Sequence, residues 1–274
     1  MTEIIRALRP TRRVPHNSAM IRARLPLVCS APCSAMCFAL CAWSGATVAA
    51  GPAVTPMVAI DVGHSLDVPG ATSARGRVEF EFNRDLAHAI ERALKAEGVA
   101  TLVIGADGKE NGLGARPAKA RGAGFFLSVH HDSVQPHFLQ SWVHEGKELR
   151  YSDRYAGFSV FVSRRNASLP GSLRCASGLG EELRRAGFRP SLYHADPVPG
   201  EMKPFADRAN GVHYYDNLAV LKGATSPAVL LEAGVIVNRH EELALGEGET
   251  HERMAAAVAA GLTRCLASSR PGRH

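Results

Sequence analysis

Cysteine is scarce where it would carry information. Of six cysteines in 274 residues, Cys29, Cys33, Cys37 and Cys41 fall within the first fifty, which leaves only Cys175 and Cys265 for the rest of the chain. Neither has a CxxC neighbour, so a cysteine-held zinc is excluded. The two distant thiols could pair in an oxidising compartment, but their spacing does not argue for it. A long apolar run is also missing. The stretch SAMCFALCAWSGATVAAG is shorter than the roughly 20 residues a membrane span needs, and Pro26 and Pro32 interrupt what precedes it. Surplus charge is missing as well. The chain carries +6, but Arg6, Arg9, Arg12, Arg13, Arg22 and Arg24 against Glu3 alone put five of those six charges in the first fifty residues, leaving about +1 on the remainder. That gives no basic surface for nucleic acid. No segment repeats, which excludes a solenoid.

What the first fifty residues do contain is a basic start, a short apolar middle and small residues at the end, the layout of a secretory signal. Cleavage is expected near residue 50, with Met20 as an alternative start and lipidation of a leader cysteine as the weaker alternative, since FALC is a poor lipidation box. Residues 1–50 are therefore read as signal peptide and leader, and 51–274 as one exported domain, periplasmic or extracellular, with no membrane span in the mature chain. At 46% hydrophobic and 21% charged the chain can bury a core.

Along that domain strands alternate with helices. MVAIDVGH is a short run rich in β-branched residues that delivers His64 to the carboxyl end of a strand. EFEFNRDLAHAIERALKAEG spaces Phe82, Leu86, Ala89, Ile90 and Leu94 as a helix, with Gly98 as its stop. VATLVIG is a second strand, a helix carries Ala115, Ala118 and Ala120, and GFFLSVHHD is a third strand ending in His130 and His131. GFSVFVS, an amphipathic helix over SLRCASGLGEELRRAG, a polar insert HADPVPGEMKPFADRANGVHYYDN, two short strands within LAVLKGATSPAVLLEAGVIVN and a closing helix HERMAAAVAAGLTRCLA complete the pass. The pattern predicts a three-layer αβα fold of the α/β class: a mostly parallel, twisted sheet of about six strands with helices on both faces. Ligands of such sheets gather beyond the carboxyl ends of the strands.

One carboxylate breaks the apolar run VLLEAGVIVN. Glu232 costs several kcal/mol there unless it is paired, faces a metal or lines a cleft. His64, Glu79, His130 and Glu232 come from separate segments, three of them at strand ends on one edge of the sheet. Two imidazoles and a carboxylate supply three of zinc's four positions and leave the fourth open. A further carboxylate beside them can handle protons.

VAIDVGH, PGATSARGRVEFEFN, FFLSVHHDS and SPAVLLEAGVIVN, in that order, resemble the zinc-dependent N-acetylmuramoyl-L-alanine amidases of the amidase-3 type over about residues 57–266. Those enzymes cut the amide between the lactyl group of muramic acid and the first L-alanine of the peptidoglycan stem. The resemblance implies one Zn2+ per chain on His64, Glu79 and His130, with Glu232 as catalytic acid/base and 51–274 as the catalytic domain. Glu81 competes with Glu79, which fits better because it lies four before Asn83 and nearer the helix start, where a carboxylate is favoured. The family's small residue and Asn after the third ligand are replaced here by His131 and Asp132. His131, pointing to the opposite face of its strand from His130, is a candidate for substrate contact or for support behind the ligands. Arg75 is a second candidate for binding the substrate's carboxylates. Asn238 is expected to cap the next helix, with Glu241 completing a capping box. His194 and His213 read as structural or surface residues, in a segment that could cover the cleft.

The expected partners are peptidoglycan and, if the insert around 190–215 must move, a protein activator, with the chain acting as a monomer. No separate wall-binding module is visible. The competing readings are an exported zinc carboxypeptidase or amide hydrolase acting on another substrate, and a wall-binding regulator without catalysis.

Overall fold

The computed structural model describes residues 56–268, so the expected leader lies outside the described residues. The first half runs β1 (Val58–Val62), α1 (Glu79–Ala96), β2 (Thr101–Ile104), α2 (Ala115–Lys119) and β3 (Phe125–Asp132). A hairpin of β4 (Gln140–His144) and β5 (Lys147–Tyr151) follows, then β6 (Ser159–Val162) and α3 (Leu169–Arg185). The chain closes with β7 (Phe205–Asp207), β8 (Val212–Tyr214), α4 (Ala219–Gly223), β9 (Ala228–Val235), α5 (Glu241–Leu245) and α6 (Gly248–Ser268).

Seven strands form the main sheet, in the order β2-β1-β3-β9-β6-β8-β7. Four of its six pairings are parallel; β9–β6 and β8–β7 are antiparallel. The expected α/β sandwich is therefore present, with one strand more than expected. The extra strands come from the polar insert, where β7 and β8 pair over a short turn that hydrophobic periodicity does not mark. Residues 219–223, expected as a strand, form a single helical turn. A short apolar run such as LAVL does not distinguish the two by pattern, and here the turn buries Val220 and Leu221 on the second face of the sheet. The β4–β5 hairpin was not expected at all: its alternation of exposed and half-buried residues lies in a segment too polar to signal a strand.

The period-2 geometry of the strands sorts the core into two layers. Val58, Ile60 and Val62 of β1, Leu127 and Val129 of β3, and Val229 and Leu231 of β9 pack with α1, α3 and α6. Ala59, Phe126 and Leu230, from the alternate positions, pack with Val220, Leu221 and Ala224 near α4. Within α1, Phe82, Leu86, Ile90 and Leu94 lie on the buried face, and burial of each contributes roughly 1.5–3 kcal/mol. Its first N–H groups need partners outside the helix. Those of Glu79 and Phe80 donate to the carbonyls of Ala71 and Pro69, which fastens the helix start to the loop that follows β1.

Cys175 of α3 and Cys265 of α6 form a disulfide across 90 residues of sequence. Both lie in the helical layer away from the carboxyl ends of the strands, so the bond bears on stability. Closing a loop of that length removes denatured-chain entropy worth roughly 4–5 kcal/mol in the entropic model, at the top of the usual range. The double variant C175S/C265S is expected to lose about 2–5 kcal/mol in chemical denaturation. A midpoint within error of the wild type would show that the helices hold without the bond.

Candidate metal centre and active-site cleft

The turn after β1, the start of α1 and the later halves of β3 and β9 converge at the site. β1 ends at Val62, and the chain turns through Gly63 into His64, which has φ 68°, a left-handed value unusual for a residue with a side chain. Glu79 opens α1 and His130 lies near the end of β3. His64 Nε2 is 3.1 Å from Glu79 Oε2, and His130 Nδ1 is 3.1 Å from Glu79 Oε1. One ligand-type atom from each of the three residues falls within 4.8 Å of the others. Glycines make the room. A Cβ on Gly63 would stand 2.4 Å from His130 Nε2, and one on Gly70 would stand 2.4 Å from Glu79 Oε2 and 2.7 Å from His64 Cδ2.

Glu79 is 4% exposed and heavily bonded. The Ala71 N–H donates to its Oε2 at 3.0 Å, while Asn83 Nδ2 and the His131 N–H donate to Oε1 at 3.1 and 3.3 Å. Burial works against its charge, but the flanking His130 and His64 outweigh that and hold the carboxyl far below its ordinary range. His64 responds in kind: burial disfavours its cation, yet Glu79 lifts its pKa. The alternative ligand, Glu81, points outward and pairs with Arg77 at 3.1 Å. Two imidazoles and an ionised carboxylate on fixed backbone, with space kept by glycines, fit a divalent cation of the zinc type that takes three protein ligands and one open position.

Glu232 stands directly beside this group. In the β3–β9 register it is opposite His130, and in the β9–β6 register opposite Ser159. The residue is half-buried, but its Oε2 is closed off from solvent and has no hydrogen-bond partner. Burial first, then the nearby charges of Asp132 and Glu79, push its pKa well above the ordinary carboxylate value. An acid whose pKa is raised next to a metal-type cluster can both take and return a proton.

Asp132 extends the site sideways. Its Oδ2 lies 2.7 Å from His194 Nε2, though not aligned as a hydrogen bond, and His194 Nδ1 lies 2.8 Å from Glu201 Oε2. Burial opposes charging His194, but Asp132 and Glu201 prevail and raise its pKa to about 9. Lys203 Nζ and Gln135 Nε2 complete the shell around Glu201 at 2.8 and 2.7 Å. The insert is thereby fastened to the end of β3 by a buried network of ionic groups. His213, at the centre of β8, is buried among aromatic rings, which lowers its pKa to about 4.

A cleft of about 380 Å³ opens beside His64 and His130, walled by Val68, Leu113, Leu218 and Val220 with Asn111 and Glu110 at its polar side. Arg75 is not part of it. Its guanidinium pairs with Glu242 at 2.7 Å and with the Arg239 carbonyl, over the Trp142 ring, so the structure gives it a different task from binding substrate carboxylates. His131 is 2% exposed and points to the α1 side, where Nδ1 meets Asn83 Oδ1 at 2.8 Å. Burial drops its pKa to about 3. It supports Asn83, which bonds Glu79, and a substrate contact is closed to it. Asn238 Oδ1 does accept the N–H groups of His240 and Glu241, but the Glu241 carboxylate turns to the N–H groups of Gly157 and Val235 instead of completing a capping box.

Arg116 and Asp61 escaped the sequence reading. Their signal was available: Asp61 sits in the apolar run VAIDV, and the reasoning that singled out Glu232 demands a buried partner for it too.

Residues 58–264 match the family profile described as N-acetylmuramoyl-L-alanine amidase. Over 223 residues, 78% of this chain, the sequence is 26% identical to the N-acetylmuramoyl-L-alanine amidase AmiC of Neisseria meningitidis serogroup B. The chain spans about half the length of that relative, 53%. Among solved structures, the amidase Ami1 from Mycobacterium smegmatis superposes with a TM-score of 0.62 at 22% identity, covering 78% of this chain and 98% of that one. The catalytic domain of CwlV from Bacillus (Paenibacillus) polymyxa gives a TM-score of 0.58 at 25% identity, covering 77% and 98%. With the fold, the order of its motifs and a profile match over most of its length in agreement, the chain belongs to the N-acetylmuramoyl-L-alanine amidases of the amidase-3 type.

Proposed function

We propose that the protein is an exported, zinc-dependent hydrolase that cuts the amide between N-acetylmuramic acid and L-alanine in peptidoglycan. The observation that carries this reading is the register that sets Glu232 opposite His130 while His130, Glu79 and His64 converge within ligand distance of one another. His64, Glu79 and His130 would hold one zinc ion per chain. Zinc so bound supplies a Lewis acid that lowers the pKa of water and polarises a carbonyl.

The chain's own residues do the rest. The lactyl carbonyl is presented from the cleft beside His64, whose walls are largely apolar. Glu232 accepts a proton from the attacking water at its carboxylate and delivers it to the alanine nitrogen as the C–N bond breaks, so water ends as hydroxyl on the lactyl carbon and hydrogen on the amine. Asn83, backed by His131, and the Ala71 N–H hold the Glu79 carboxylate in place throughout.

Export is supported by the basic, then apolar, sequence of the first fifty residues and by the Cys175–Cys265 disulfide, which belongs to an oxidising compartment. Among the described residues no helix is long and apolar enough to cross a membrane. A protein activator acting on residues 190–215 would have to break the ion pairs of His194 to move that segment.

The test is mass spectrometry of soluble products from purified sacculi incubated with residues 51–274. Expected are free stem peptides beginning with L-alanine and an intact glycan, both products vanishing when a chelator is added and returning with zinc. Release of terminal amino acids instead would make the protein a carboxypeptidase. Activity indifferent to the chelator would remove the metal from the reading.

A further inference from the structure

Beneath His64 lies a buried ion pair with no part in the chemistry above. Arg116, the second residue of α2, is 3% exposed, and its Nη1 donates to Asp61 Oδ1 at 2.7 Å. Asp61 is wholly buried in β1 and its other oxygen accepts from Ser128 Oγ at 2.7 Å. The guanidinium also donates to three carbonyl oxygens: Nη1 to Val62, Nη2 to His64 and to Glu110.

Those bonds fall where the backbone is under demand. After β1 the ladder ends, and the carbonyls of Val62, Gly63 and His64 must find partners. Arg116 takes the first and third, and Asn83 Nδ2 takes the second at 3.2 Å. Three successive carbonyls are thus fixed by side chains just where His64 adopts φ 68°, a strained conformation that persists only when its surroundings impose it. A planar guanidinium reaches three carbonyls and a carboxylate at once; an ammonium is a point donor and does not reproduce that fork. Packing is close around it, since a Cβ on Gly105 would stand 3.1 Å from Nη1.

We propose that Arg116 is a positioning residue: anchored by Asp61 and Ser128, it holds the backbone of His64 in its left-handed turn and so aims the imidazole at the metal position. The idea rests on the zinc reading of the site. It differs from a purely structural role because what it controls is the placement of one ligand, and outer partners of metal ligands typically set affinity or activity by about 10–100-fold.

The experiment compares wild type, R116K and D61N/R116M by calorimetric zinc titration, the visible spectrum of the cobalt-substituted protein and thermal denaturation. R116K keeps the charge beside Asp61 and loses the fork. D61N/R116M removes both charges together, so no uncompensated ion is left buried, and it serves if R116K does not fold. Both are expected to bind zinc about 10–100-fold more weakly, with an altered cobalt spectrum, in protein that still melts cooperatively. A folded variant with wild-type zinc affinity and an unchanged cobalt spectrum overturns the proposal, leaving Arg116 as packing alone. Wild-type protein that binds no zinc overturns the site reading itself, and this inference with it.

Discussion

Glu232→Gln is expected to lower turnover on peptidoglycan by roughly 10²–10⁴-fold while zinc affinity stays within a few-fold of wild type. The substitution keeps shape and removes only the ability to carry a proton. Glu232 is not among the three residues whose ligand-type atoms converge, so the metal position should be indifferent to the change. It stands opposite His130, with one oxygen closed off and unpaired and its pKa pushed up by burial, Asp132 and Glu79. A carboxyl poised this way matches a group that must be a base in one half of the cycle and an acid in the other. A glutamine amide donates into the same space but cannot exchange a proton between water and the leaving nitrogen. The check is a rate on dye-labelled sacculi alongside a zinc titration of the same preparation. Turnover close to wild type would assign the proton transfer to another group. Loss of zinc together with activity would make Glu232 a fourth ligand.

The parts of this molecule that were legible in its sequence are those enforced by periodicity and by the cost of isolated charge. β1, α1, β3 and β9 carry largely apolar runs or helical spacing, with His64 just past β1, Glu79 opening α1, His130 late in β3 and Glu232 inside β9; pattern brought these residues forward, and the family resemblance implied their roles. Glu79 and Glu81 lie two apart near the start of one helix, and the 3.6-residue turn sends one against His64 and the other to Arg77. What the sequence withheld depends on contacts between distant segments. Arg75 lies near the motif in sequence, yet Glu242, 167 residues away, claims it. The hairpin and the strands of the insert are too short and too polar to show a period.

The replacement of the family's small residue and Asn by His131 and Asp132 has a physical account in this chain. Alternation sends the two side chains to opposite faces of β3. His131 enters the helix layer and is matched by Asn83 and the Phe82 ring, so a bulky neutral imidazole takes the place of a small side chain as support behind Glu79. Asp132 stays on the Glu232 side, where a second carboxylate would be costly alone. The His194 cation supplied by the insert offsets it. The Asp132 departure therefore belongs with the polar insert, and the His131 departure with α1.

Gly63→Ala should be as damaging to metal binding as loss of a ligand, although it adds only one methyl group. The added Cβ would lie 2.4 Å from Cε1 and Nε2 and 2.6 Å from Cδ2 of His130, so contact is with the face and edge of the ring itself. The imidazole has to move, and it cannot move freely: Nδ1 is held by Glu79 at 3.1 Å and its strand is paired on both sides. Gly63 does not have a positive φ, so the damage comes from lost space and not from an unreachable backbone. A shift near 1 Å exceeds the tolerance of about 0.2 Å on a metal–ligand distance, and zinc affinity should fall by more than the roughly 10–100-fold that an outer-shell loss costs. Gly248→Ala is the matched control, since a Cβ there meets nothing within 4 Å at the start of α6. Zinc titration of both variants, with thermal melts to show that each is folded, reads the difference. Wild-type affinity in folded Gly63→Ala protein would mean that His130 can leave its observed rotamer at no cost to the metal, and would remove it from the ligand set.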